Sequence, residues 1–193
     1  MNFGPILAPV VALLAPAASA ATDQQMEKMT ALYEEVCLKA FPNDRAVEAA
    51  MRSRKARELT PEQVKVTMGN DPARGWELQD KSATVWLEFP PYHACSVRWN
   101  AAEIGDLGIL GIYGLVASLY EAKRGGFAPM EETDLDYGDI HLHALGEQKR
   151  SPNGDWESLY VIDQHIIDPK RRAAGETGFV VRFVHQFKPA GSK

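Results

Sequence analysis

The sequence predicts an α+β fold: an antiparallel sheet of five to six strands, N-terminal helices and one buried central helix. Three observations carry this reading. Apolar residues recur at helical spacing before residue 60. Alternating segments rich in β-branched and aromatic residues then occur in two groups, at 75–99 and 137–187. Between the groups lies one strongly apolar helical stretch, 105–125.

The first helix is expected from Thr22 to Phe41. Met26, Met29, Tyr33, Val36, Cys37 and Ala40 share one face, and Thr22 with Gln25 fits a capping box. Pro42-Asn43-Asp44 stops it, and Asn43 or Asp44 caps a second helix ending near Arg57. Thr60, Pro61 and Gln63 fit the N-cap, first helical and capping-box positions of one further short helical turn. Strands "GWELQD", "ATVWLEF" and "HACSVRW" follow, with Pro90-Pro91 interrupting any ladder between the last two.

In "GDLGILGIYG", Gly105, Gly108, Gly111 and Gly114 stand three apart. Such glycines cost helix stability, about 1 kcal/mol each against alanine. A late helix start near Ile109, or close backbone packing, would account for them. A phosphate loop is excluded, because no Lys-Ser/Thr follows and the spacing is wrong. Ile109, Leu110, Ile112, Tyr113, Leu115, Val116, Leu119 and Tyr120 ring the helix, which predicts burial on most sides; a homodimer face is the competing reading. Lys123-Arg124-Gly125 closes it.

Three strands end the chain: "YGDIHLHALGEQ", "DWESLYVIDQHII" and "GFVVRFVHQF". Asn153-Gly154 signals a tight hairpin between the first two. The resulting order is α-α-β-β-β-α-β-β-β. It resembles profilin-like and roadblock-like architectures in element order alone, with no shared motif.

Residues 1–20 read as a cleaved signal peptide. Ile6–Leu14 are apolar except Pro9, and Ala18-Ser19-Ala20 is a small-x-small cleavage signal. The mature chain would be one domain, 21–193, in the periplasm or outside the cell. Export makes Cys37 and Cys95, the two cysteines of the chain, a disulfide by default. The net charge of −5 argues against nucleic acid as a bulk partner.

Function is carried by the last strands. Alternation puts Tyr137, Asp139, His141 and His143 on one face of one strand, and Ile140, Leu142 and Ala144 on the other, toward the core. A two-residue Asn153-Gly154 turn would pair His143 with Gln164 and set His165 opposite Leu142, away from the histidine pair; a one-residue bulge would reverse that. Tyr160 falls on the histidine face in the two-residue register. Tyr137, Asp139, His141, His143, Tyr160 and Gln164 therefore form the candidate binding face. Zinc on His141 and His143, with Asp139 as an oxygen ligand, is the alternative. His185 reads as a hydrogen-bonded histidine at the edge of the core. No Gly-x-Ser-x-Gly elbow and no His-Glu-x-x-His occurs. "MEETDLDYGD" lacks the order of a calcium loop. The expectation is an exported, disulfide-stapled small binding or accessory protein of the cell envelope, without a cofactor. Its target would be an envelope protein or a small ligand; the alternative is a metal-binding protein or metal-dependent enzyme.

Overall fold

The computed structural model describes residues 27–100, 108–176, 178 and 180–191. The expected signal peptide, the Thr22–Gln25 capping box and Gly105 lie outside the described residues. Helix α1 covers 27–40, α-helical over 27–33 and widened to a π-helix over Glu34–Ala40. Helix α2 spans Asp44–Ser53, and the Asn43 side chain caps it by accepting from the Ala46 amide at 3.2 Å. After the short strand β1 (Arg57–Glu58), helix α3 spans Pro61–Met68. Its predicted capping box is complete: Thr60 Oγ1 accepts from the Gln63 amide, and Gln63 Oε1 from the Thr60 amide. Strands β2 (Ala73–Glu77), β3 (Ala83–Glu88) and β4 (His93–Asn100) follow, then helix α4 (Gly108–Arg124). The chain continues through β5 (Ala128–Pro129), β6 (Thr133–Tyr137), β7 (Ile140–Arg150), β8 (Trp156–Ile166), a short helix α5 (Pro169–Ala173) and β9 (Val180–Lys188). The fold is α+β.

All strands join one antiparallel sheet in the order β1-β2-β3-β4-β9-β8-β7, and both β5 and β6 pair with the outer edge of β7. Last in sequence, β9 sits between β4 and β8 and so joins the two groups of strands. Helices cover one face. There Val85, Leu87, Cys95, Val97, Leu159, Val161, Val181 and Phe183 pack against Tyr33, Val36, Val47, Met51 and Tyr113, all buried. The other face carries Trp86, Arg98, Tyr160, Ile162, Gln164 and Arg182, with only α3 near it.

Cys37 ties α1 to the sheet twice. Its side chain forms the expected disulfide with Cys95 of β4, across 58 positions of sequence. Its carbonyl accepts from His185 Nδ1 of β9 at 2.7 Å. That carbonyl is free because the Phe41 amide bonds Val36 O instead, at 3.0 Å, and Pro42 has no N–H to give. His185 Nε2 in turn donates to Glu157 Oε1 at 3.0 Å, the Tyr120 hydroxyl donates to the same oxygen at 2.7 Å, and Lys149 Nζ lies 3.0 Å from Oε2. Burial alone would raise the Glu157 carboxyl. The hydrogen bonds from His185, Tyr120 and Lys149 outweigh it and hold the group at about 2. Two helices and three strands thus meet in one satisfied polar chain.

Four expectations need correction. The sheet has nine strands rather than five or six, because β1 and β5 are two-residue pairings and "YGDIHLHAL" turns back on itself: Tyr137 pairs with Ile140 across Gly138, whose φ is +63°. The β7–β8 connection is a five-residue loop, Ser151–Asp155, closed by the Ser151 amide on Asp155 O at 2.8 Å. It pairs His141 with His165 and His143 with Asp163, one residue away from the two-residue register. The faces of β7 are also inverted. His141 and His143 share the side of the helix-covered core, and Leu142 looks to the open face, as the shifted register on β8 requires. Finally, from Tyr113 onward α4 is buried on one side only: Tyr113 and Ala117 are buried, whereas Leu115 and Leu119 are 62% and 59% exposed, and the side chains of Ile109, Leu110 and Ile112 lie outside the described ones.

Helix α4 is described from Gly108 onward, and Gly105 and the expected entry loop before it lie outside the described residues. Close packing does not account for Gly114, where an added Cβ would meet nothing within 4 Å. At Gly146 the reverse holds: a Cβ would come within 2.4 Å of Leu159 O and of Tyr160 Cβ. We expect Gly114→Ala to raise unfolding free energy by up to about 1 kcal/mol and Gly146→Ala to lower it, both read by urea denaturation. Glu157→Gln should cost about 3–5 kcal/mol at neutral pH, since it leaves His185 and Lys149 without their counter-charge. The Glu157 carboxyl is depressed in the fold, so its contribution is present above about pH 4.3 and lost as pH falls toward 2. The variant should therefore show a shallower loss of stability with acid in that window.

Candidate functional site

The open face of the sheet holds a pocket of about 390 Å³. Arg98 of β4, Arg182 of β9 and Ile162 of β8 stand side by side as cross-strand partners and form its floor. Trp86, Leu142, Gln164 and Val180 wall it, and Val66, Thr67 and Met68 of α3 make the rim. The walls follow from local packing. Trp86 turns over Gly75, where a Cβ would come within 2.8 Å of the indole, and Leu59 fills the same gap. Its Nε1 donates to Thr84 Oγ1 at 3.0 Å. Helix α3 buries none of its residues and is held by its caps, which leaves Val66 88% exposed beside the opening.

The two arginines differ. Arg182 is neutralised: its guanidinium pairs with Glu88 and donates from Nε to Ser96 Oγ at 2.9 Å. Arg98 has neither an ion pair nor a hydrogen bond among the described residues, and its Nε is buried without a partner. Burial, and then the neighbouring charge of Arg182, both push the Arg98 guanidinium below its ordinary value. Arginine keeps its charge even so. A half-buried cation next to a second cation is costly in an isolated fold. Chemically the site offers guanidinium and amide hydrogen-bond donors over an apolar, aromatic wall.

The predicted face is divided by the corrected register. Gln164 lines the pocket, and Tyr160 lies on the same open face, its hydroxyl donating to Gln186 Oε1 at 3.3 Å. His141 and His143 occupy the opposite side. Tyr137 ends β6 and is 75% exposed. Asp139 lies in the β6–β7 turn, where a hydrogen bond from Arg171 holds its carboxyl below the usual range.

Around the histidines the structure gathers a second group of charges. His141 Nδ1 meets Asp136 at 2.8 Å and its Nε2 meets Asp134 at 3.2 Å. His143 Nδ1 meets Asp163 at 3.0 Å and its Nε2 meets Glu132 at 2.8 Å. The His165 ring lies 5.0 Å from that of His141. Each ring donates through both nitrogens only when it carries both protons. The nitrogens are turned to separate carboxylates, not to a common point, and no group of three or more metal-ligating side chains among the described residues is placed to hold an ion. The arrangement clamps the edge strand β6 to β7 and β8.

Trp86, Arg98, Glu88 and Arg182 were not singled out from the sequence. The available signal was an arginine within each of two otherwise apolar strands, "HACSVRW" and "VVRFV".

No protein-family model matches the chain. No curated protein and no solved structure matches it significantly.

The hydrogen bond that His143 donates to Glu132, opposed by partial burial and reinforced by Asp163, raises the His143 imidazolium above its ordinary value. Its contribution to stability is therefore complete below about pH 6.5 and lost as pH rises through the higher folded value. Replacing His143 with Gln should flatten the fall of the urea midpoint across that window, and an NMR titration of the wild-type ring should end above the ordinary histidine range.

Proposed function

We propose that this is an exported, non-catalytic binding or accessory protein of the cell envelope that holds a small ligand in the pocket on its open sheet face. The unpaired Arg98 guanidinium carries the reading. A buried donor without a partner costs about 1–3 kcal/mol, more when charged, and a ligand acceptor would relieve that cost. The Cys37–Cys95 disulfide is compatible with export. The pocket volume falls within the range of small-molecule sites, about 300–1,000 Å³. Its lining holds donors and apolar groups but, among the described residues, no acid–base pair of the kind hydrolysis uses. No helix among the described residues is long and apolar enough to cross a membrane.

Native mass spectrometry of untagged protein recovered from the periplasm tests this reading. The expected spectrum shows an oxidised chain beginning at Ala21 with a small-molecule adduct that Arg98→Ala loses. A chain without the cleavage, or an adduct retained in full by Arg98→Ala, would contradict it.

A further inference from the structure

We infer that the pocket takes a singly charged carboxylate on an apolar body, with the carboxylate on Arg98. This rests on the open-face pocket being the binding site and names its ligand class. Charge accounting comes first. The floor has two guanidinium groups, but Glu88 neutralises Arg182 and Ser96 takes its Nε, so among the described residues one positive charge is left over. A phosphate dianion would need a second free cation and would approach Glu88; a monocarboxylate needs only Arg98. Carboxylate geometry also matches the planar guanidinium fork, which can donate two parallel hydrogen bonds to it.

The rest of the lining sets the body of the ligand. Trp86, Leu142, Ile162 and Val180 present apolar surface beside the cation, and Val66 extends that surface at the rim with its side chain uncovered. A purely ionic head, such as free phosphate, would leave all of this unused. A volume of about 390 Å³ fits a small amphiphile and not a polymer. Gln164 adds a neutral donor and acceptor beside the charge.

Calorimetric titration of the mature, disulfide-bonded protein with decanoate, decanol, decyl phosphate and inorganic phosphate decides the matter. Decanoate should bind at least about tenfold more tightly than decanol, and Arg98→Gln should erase that preference. Glu88→Gln frees Arg182 and should improve decyl phosphate more than decanoate. Without ligand, Arg98→Met should melt higher than the wild type, because an unpaired charge is removed; a merely structural arginine would give a lower melting temperature. Equal binding of decanoate and decanol, unaffected by Arg98→Gln, would overturn the carboxylate assignment and leave an apolar binding pocket standing. Binding of inorganic phosphate in preference to decanoate would overturn it in favour of a plain anion site. If no probe bound and no adduct were found in the native spectrum, the binding reading itself would fall with it.

Discussion

Residue Cys37 is the point on which the rest of the structure depends. One backbone position carries two long-range ties, a covalent bond to β4 through its side chain and a hydrogen bond to β9 through its carbonyl. The second tie exists because the helix ends widened and is followed by a proline, so the carbonyl has no helical partner. His185 fills that vacancy and passes the interaction to Glu157 on β8. From there Tyr120 connects α4 and Lys149 connects β7. The strands that this chain spans are the centre of the sheet. A disulfide of this loop length constrains the unfolded chain by about 4 kcal/mol at most in the loop-entropy model. The polar chain adds something different: it sets the relative position of α1, α4 and the strands, since its centre, His185 and Glu157, is buried and tolerates no unmatched neighbour.

The two faces of the sheet differ in how their charged groups are paired, although the Tyr113 hydroxyl, under the helices, is itself buried without a partner among the described residues. Under the helices, the buried polar groups of the Glu157 network are paired, and the aromatic rings of Tyr33, Phe41, Tyr113 and Phe183 pack closely around them. On the open face, one charged group is left without a partner among the described residues, in a recess next to apolar side chains. A fold that pairs Glu157 three times over is capable of pairing Arg98. That it does so only for the adjacent Arg182 is the asymmetry that draws the function to this face. At the histidine end of the sheet, His141 and His143 each stand between two carboxylates, and these contacts tie the edge strand β6 to β7 and β8.

Much of this molecule was legible from local chemistry. The capping box at Thr60, the stop at Pro42, the cysteine pair and the two groups of strands are each set by residues within a few positions of one another, apart from the cysteines, where the count left one pairing. His185 was correctly read as hydrogen-bonded, but it lies fully buried in the core rather than at its edge. The binding face was legible only in part. Gln164 and Tyr160 reach the open face, but His141 and His143 do not accompany them. The cause lies in one loop: side chains alternate with period two, so a connection of five residues instead of two exchanges the faces of a whole strand relative to its neighbour.

The amino-acid sequence by itself determined the longer helices and strands, their approximate order, the disulfide pair and the α+β class, because propensity, capping and periodicity act over short range. Tertiary structure alone decided three things: the register of β7 on β8, the one-sided burial of α4, and the insertion of β9 between β4 and β8. That insertion brings Arg182 beside Arg98 from positions far apart in the chain and so creates the pocket. Pairings of this kind are chosen by how the sheet closes over the core as a whole, and no local pattern at either arginine encodes its partner.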